Sequence, residues 1–231
     1  MVQAVFFDFY NTLVGFKPPR EDIHAAACRE QGLALQPEDI RRNLPPADEF
    51  YHRESLRLPM AQRTEAEQQS FYAQYEQMIL RGAGVEVPAE LALAIFRQVR
   101  QHGWRIYLYE DSVPVLRDLR GMGKVVGIIS NVDRDLAPYC QQLGLDGEVD
   151  FVVTSWAVGV GKPHPDIFRR ALEQARVSPQ HAVHIGDQYN TDVLGARGVG
   201  ITGLLLDRDG NYPQVNDCPR LRNLWEVKAH L

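Results

Sequence analysis

Three cysteines in 231 residues, with no Cys-x-x-Cys pair among them, exclude a disulfide framework and a thiolate metal centre. Cys28, Cys140 and Cys218 are widely spaced and odd in number, so they read as buried or incidental thiols in a reducing compartment. Positive charge is also scarce. Lys and Arg number 25 against 30 Asp and Glu, giving a net charge of −5, and the pI is about 5.8. A basic footprint for nucleic acid is missing at that balance. No apolar run approaches the length of a membrane span, and no basic N-terminal segment leads into an apolar stretch with a cleavage site. The expectation is a cytoplasmic protein with neither membrane nor nucleic-acid partners. There is no internal repeat and no low-complexity segment. What remains is an ordinary globular composition, 45% hydrophobic and 24% charged. The length suits one large domain, or a core plus a smaller module.

The chain opens on an apolar, β-prone run, Val2 to Phe7, that ends at a carboxylate, Asp8. Helical periodicity then takes over from about Arg20 to His102: Ile23-Ala26-Ala27, Phe71-Tyr72-Tyr75-Met78-Ile79, and Leu91-Leu93-Ala94-Phe96-Val99. Pro88 suits a first helical turn, Gly82, Gly84 and Gly103 suit helix ends, and Pro45-Pro46 breaks one helix into two. Beyond Gly103, strands alternate with helices. Strands are expected at Val125–Ile129, Phe151–Val153, Ala182–Ile185 and Ile201–Leu206, with helices near Asp133–Leu143, Pro165–Ala175 and Thr191–Arg197. Alternation of this kind implies an α/β fold with a doubly wound parallel sheet. The first strand must join that sheet, since a lone strand cannot bury itself. Residues 1–16 and 104–231 therefore form the α/β core, and 17–103 an inserted all-α cap.

Polar residues follow the strands. Ser130-Asn131 ends the second, Gly161-Lys162-Pro163 lies beyond the third, and Gly186-Asp187 ends the fourth with Asp192 five residues on. Parallel strands put their carboxyl ends on one edge, where ligands of open α/β sheets bind. Singly, each residue has an ordinary reading as a turn former, a solvated charge or a helix cap. Three carboxylates near one point need a cation, and all-oxygen ligation suits Mg²⁺. A lysine and a hydroxyl beside them would hold an anion, and Asp8 would be placed to attack phosphorus. A phosphate-loop reading of Gly159-Val160-Gly161-Lys162 fails, because Trp156 stands where the first glycine belongs and Pro163 where Ser or Thr belongs.

In this order the four segments, Asp8-Phe9-Tyr10-Asn11-Thr12, Ser130-Asn131, Lys162-Pro163 and Gly186-Asp187 with Asp192, resemble the haloacid dehalogenase-like (HAD) superfamily. The resemblance is to its members with a helical cap inserted after the first motif, and it covers essentially the whole chain. It implies a Rossmann-like core and a hydrolase that uses Mg²⁺ on a small phosphorylated substrate. It further implies that Asp8 is nucleophile and metal ligand. Ser130 and the Asn131 amide would bind phosphoryl oxygens, and Lys162 would pair with Asp8 and the transferring group. Asp187 and the backbone carbonyl of Tyr10 would complete the protein ligands, with Asp192 orienting the metal's waters.

Tyr10 departs from the pattern. Phosphatases of the superfamily carry a second Asp at this position as general acid and base, whereas a phenol has an unperturbed pKa of roughly 10. Tyrosine here resembles the 2-haloacid dehalogenases, which need no metal, but Gly186-Asp187 and Asp192 resemble the metal-binding phosphatases. Three functions follow: a phosphatase with an impaired or rerouted acid/base, a 2-haloacid dehalogenase, or a phosphate-binding protein that has lost turnover. The phosphonoacetaldehyde hydrolase branch, which uses a cap lysine, is excluded because no lysine lies between Lys17 and Lys124. In the cap, Phe71, Tyr72 and Tyr75 read as core. Arg20 and His24, at i and i+4, are substrate-contact candidates, and Arg41 and Arg42 are halide-site candidates more simply read as a solvated face. The cap is expected to close over the site and exclude water. His164, His181 and His184 read as structural.

Overall fold

β1, Ala4–Phe7, is buried along its whole length, as a strand flanked on both sides and covered on both faces must be. The computed structural model describes residues 1–231, the side chain of Ala61 aside. The chain divides into two units, one of Met1–Gly15 with Tyr107–Leu231 and the other of Phe16–Ile106. It crosses between them inside β2, Val14–Lys17, and β3, Arg105–Leu108, which pair as a two-stranded sheet. The crossings therefore fall at 15–16 and 106–107 rather than at 16–17 and 103–104. The sequence hides both strands: Gly15 interrupts the first, and the second is too short and too exposed to show a buried face.

The larger unit holds a six-stranded sheet in the order β5-β4-β1-β6-β7-β8, parallel at every pairing, with β4 Val125–Ser130, β5 Phe151–Thr154, β6 Ala182–Gly186, β7 Thr202–Leu206 and β8 Arg220–Leu221. The order places β1 between strands added on opposite sides, which is where a doubly wound sheet opens a crevice at its carboxyl edge. Phe6 and Ala4 on β1 join Ile129, Val153, Phe168, Leu172 and Ile201 in one apolar cluster. Phe168 and Leu172 come from a helix, Pro165–Ala175, whose apolar residues recur at helical spacing.

Two expected helices differ from the sequence reading. The segment near Asp133–Leu143 is helical only over Ala137–Gln142, because the Asp135 carboxylate accepts the Ala137 N–H at 3.0 Å and ends a turn there. Near Thr191–Arg197 the chain makes a wide π-type turn, Tyr189–Leu194, before one α-turn at Gly195–Arg197. Pro45-Pro46 lies within the first turn of the helix Leu44–Arg57, where missing N–H groups cost nothing, and the break precedes it at Arg42–Asn43.

The smaller unit has its own core, formed by Ile23, Ala27, Cys28, Ile40, Leu44, Tyr75, Ile79, Leu80, Ile95 and Val99. Its main helices are Arg20–Glu30, Leu44–Arg57, Glu65–Gly82 and Ala89–His102. Phe71 and Tyr75 are buried, and Tyr72 stacks on Phe96 at 4.3 Å.

One partly buried ion pair holds the loop after β1 to the far end of the chain. Arg208 donates to both oxygens of Asp111 at 2.8 Å and to the Thr12 carbonyl at 3.0 Å, and Asp111 also accepts the Leu224 N–H at 2.8 Å. Asp111→Ala leaves the Arg208 guanidinium without its carboxylate and a buried N–H unpaired. The expected loss by chemical denaturation is about 3 kcal/mol; a loss below about 1 kcal/mol would show that this pair does not anchor the loop.

Candidate active site

Asp8 extends the ladder of β1, its N–H donating to the Ile185 carbonyl of β6 at 2.8 Å. Its neighbours are set by register: Phe7 lies level with Ile128 on β4 and with Ile185 on β6. The ends of three adjacent strands therefore bring Asp8, Ser130 and Gly186 to one edge. After Asp8 the chain turns back at once. Leu13 and Val14 donate to the Phe9 carbonyl at 2.9 and 3.0 Å, and Asn11 takes the left-handed conformation at φ +58°, which asparagine tolerates better than most residues. That turn aims the Asn11 amide at Asp187 Oδ2, 3.2 Å away. Asn11 is a site residue that sequence reasoning passed over, although an asparagine in a sharp turn is a visible signal.

Lys162 is the centre of the site. Its ammonium, 3% exposed, donates to Asp8 Oδ1 and to Asp192 Oδ1, both at 2.6 Å. The loop that carries it is fixed by Asn131, whose side chain donates to the Lys162 carbonyl at 2.8 Å and accepts the Lys162 N–H at 2.7 Å. The Asn131 side chain is thus spent on positioning Lys162. Asp192 accepts from Lys162 and His184 on Oδ1 and from the Gln188 N–H on Oδ2. The Ser130 hydroxyl is buried and has no hydrogen-bond partner, and the same holds for Thr12 Oγ1. A buried hydroxyl at a strand end that no protein group satisfies has its donor free for a polar ligand atom.

Three carboxylates face one ammonium, and the charge imbalance sets their titration. Burial, with Asp192 nearby, pushes Asp8 up to about 6 even though Lys162 opposes the shift. Burial and the charges of Asp8 and Asp192 hold Asp187 well above the usual carboxylate range. Burial also acts on Asp192, but Lys162 and His184 outweigh it and keep that group below its ordinary value. Lys162 is held above its ordinary value by Asp192 and Asp8 against the effect of burial. Tyr10, mainly through burial, is pushed up to about 12.

The other candidates have partners of their own. Arg20 pairs with Asp48 at 2.7 Å and reaches the Tyr75 hydroxyl, and His24 is buried against Glu76 at 3.0 Å, all inside the smaller unit. Arg41 pairs with Glu21 at 3.1 Å. His164 caps the helix Pro165–Ala175 through its ring, accepting the Asp166 N–H at 3.3 Å.

The donor set suits a hard divalent cation. Asp8 and Asp187 bring oxygen ligands and excess negative charge, while Asp192 is committed to Lys162, His184 and Gln188. Among the described residues no group of three or more His, Cys, Asp or Glu side chains is arranged to hold a metal ion. One or two carboxylates completed by water and substrate is the way Mg²⁺ is ordinarily held.

A family model described as haloacid dehalogenase-like hydrolase matches residues 2–200. The chain belongs to the haloacid dehalogenase-like hydrolases. It is 30% identical to haloacid dehalogenase-like hydrolase domain-containing protein 3 of Danio rerio, an alignment covering 100% of this chain and 96% of that one. It is 29% identical to glyceraldehyde 3-phosphate phosphatase of Methanopyrus kandleri, over 100% of this chain and 99% of that one. Among solved structures, L-2-haloacid dehalogenase from Xanthobacter autotrophicus superposes with a TM-score of 0.61 at 20% identity, covering 99% of this chain and 98% of that one. The chain is a hydrolase, and this last likeness is one of fold. No helix is long and apolar enough to cross a membrane among the described residues.

Asp8 and Asp187 hold protons in the metal-free folded chain at a pH where the unfolded chain has lost them. Their contribution to stability is present at low pH and lost as pH rises, through about 6 for Asp8. Millimolar Mg²⁺ is therefore expected to raise Tm at pH 8, by about 2–4 °C for each kcal/mol of binding, less at pH 5.5, and not in Asp187→Asn. An equal rise in Asp187→Asn would show that the ion binds elsewhere.

Proposed function

We propose that this hydrolase is a Mg²⁺-dependent phosphatase of small phosphorylated metabolites that works through an aspartyl phosphate on Asp8. The observation that carries the reading is the combination of a nucleophile held by Lys162 with a second carboxylate, Asp187, that lacks a countercharge. Carbon–halogen displacement has no use for that second carboxylate, whereas phosphoryl transfer has. The unpartnered Ser130 hydroxyl adds a donor for a phosphoryl oxygen. The phosphatase activity named for the Methanopyrus relative supports the same substrate class.

Asp8 carries its negative charge above about pH 6 and presents it to phosphorus while Lys162 orients it. A carboxylate oxygen of Asp8 forms the new bond to phosphorus as the bond to the leaving oxygen breaks. The Ser130 hydroxyl and the Asn131 amide donate to the phosphoryl oxygens, and Lys162 shares its charge with the transferring group. Mg²⁺ held by Asp8, Asp187 and the Tyr10 carbonyl would supply further positive charge to those oxygens. Water then attacks phosphorus, the bond from phosphorus to the Asp8 oxygen breaks, and inorganic phosphate leaves carrying the water's protons, which returns Asp8 as a carboxylate. Asp192 keeps Lys162 charged and in place through both steps.

Tyr10 limits the protons. A phenol pushed up to about 12 is not a base at neutral pH and gives up its own proton reluctantly. Good leaving groups, such as aryl and acyl phosphates, need little protonation and are the expected substrates of the unmodified site. With p-nitrophenyl phosphate, turnover is expected to need Mg²⁺, to cease with chelator, and to be abolished in Asp8→Asn. Silence with a broad panel of phosphate esters, or turnover intact in Asp8→Asn, would end the phosphatase reading. Tyr10→Asp is expected to raise kcat on alkyl phosphates by about 10²-fold or more, against little change on p-nitrophenyl phosphate. No gain would mean that another group already supplies the proton.

Tyr10 also favours a second reading, displacement of halide from a 2-haloacid by Asp8. Halide release that survives chelator would establish it, and none from short 2-halocarboxylates would remove it.

A further inference from the structure

We infer that His184 is a positioning residue for the nucleophile, acting through Asp192 and Lys162; its kinetic readout rests on the phosphatase reading above. His184 occupies the middle of β6, level with Phe6 of β1, and is fully buried. Interior positions of a parallel sheet favour apolar side chains, and a polar ring there is costly unless it is hydrogen-bonded. Its ring lies edge-on to Phe168 at 5.3 Å, so packing alone leaves the nitrogens unexplained.

The nitrogens explain the position. Nε2 lies 3.0 Å from Asp192 Oδ1, the same oxygen that takes the Lys162 ammonium at 2.6 Å. Burial lowers the pKa of the ring, so it is neutral and carries one proton. Nε2 faces the ionised Asp192 carboxylate, which can only accept, and this puts that proton on Nε2. His184 therefore donates to Asp192, Lys162 donates to Asp192 and Asp8, and the four groups form one chain from the interior of the sheet to the nucleophile.

Asp192 is held from every other side as well. The Gln188 N–H donates to Oδ2 at 3.0 Å, and the carboxylate folds over Gly186 so closely that a Cβ there would lie 2.1 Å from its Cγ. Gly186 is thus required for close approach, and the approach delivers Asp192 to both donors. Removing the His184 donor leaves Oδ1 with Lys162 alone. The carboxylate then turns toward the ammonium and draws it from Asp8. A space-filling histidine, by contrast, is replaceable by an apolar residue of similar size with no effect on turnover.

The test compares His184→Leu and His184→Asn, which lose the donor at this reach, with His184→Gln, whose amide N–H falls near the Nε2 position. With p-nitrophenyl phosphate and Mg²⁺, the Leu and Asn variants are expected to lose about 10–100-fold in kcat. Their KM is expected to stay within about twofold, and the Gln variant to recover most of the loss. In an Asp192→Asn background, His184→Leu is expected to add no further loss, because both changes break the same chain. If the Leu variant does not fold, Asn carries the comparison. A second readout is independent of turnover: the ¹H–¹⁵N signals of the Lys162 ammonium in the metal-free protein. They are expected to be protected from exchange in wild type and His184→Gln, and lost in His184→Leu and His184→Asn. A wild type silent toward phosphate esters would overturn the phosphatase reading and leave this comparison standing. Wild-type kcat, or unchanged Lys162 signals, in a folded His184→Leu or His184→Asn would overturn the inference.

Discussion

One ammonium shared by two carboxylates organises this molecule's functional edge. Lys162 sits 2.6 Å from both Asp8 and Asp192, almost wholly out of water. A buried ammonium is tolerated only when it is paired and hydrogen-bonded, and removing one partner of such a pair is far more damaging than never having built it. The surrounding structure meets that condition from several directions. Asn131 clamps the Lys162 backbone, Gly186 makes room for Asp192, and Gln188 and His184 pin the Asp192 carboxylate. The strand order supplies the rest, because β1, β4 and β6 are adjacent and parallel and end together.

The arrangement divides the three carboxylates by task. Asp192 is depressed and fully engaged, which makes it an anchor. Asp8 is pushed up to about 6, a value that leaves it ionised at neutral pH yet only partly neutralised by its lysine. Asp187 has an amide from Asn11 and no ammonium, so the site's surplus of negative charge falls on it and holds its proton well above the usual carboxylate range. Environment rather than residue type thus gives three aspartates at one sheet edge three different titrations. Tyr10 stands apart: burial pushes its phenol up to about 12, which keeps it protonated at neutral pH.

The sequence made much of this legible. Asp8, Ser130, Lys162, Asp187 and Asp192 each follow a strand, and a parallel sheet turns that order into proximity. The parallel α/β core followed from the alternation of strands and helices. The contacts that fix the site were harder to read. Asn11 reaches Asp187 only because one left-handed residue turns the loop, and Asn131 serves Lys162 with its side chain rather than facing outward. His184 lies in an apolar strand where a lone histidine looks like filler, and only the wide turn at Tyr189–Leu194 brings Asp192 back onto it. Arg20 and His24 illustrate the converse. Helical spacing put them on one face, but that face packs against Asp48, Tyr75 and Glu76.

The most direct measurement is the identity of the residue that becomes covalently labelled during turnover. Protein mixed with p-nitrophenyl phosphate and Mg²⁺, quenched, reduced with borohydride and mapped by peptide mass should show Asp8 converted to homoserine, with no other carboxylate changed. Labelling at a different carboxylate, or turnover with Asp8 never modified, would contradict a nucleophile held by Lys162 at the centre of this site.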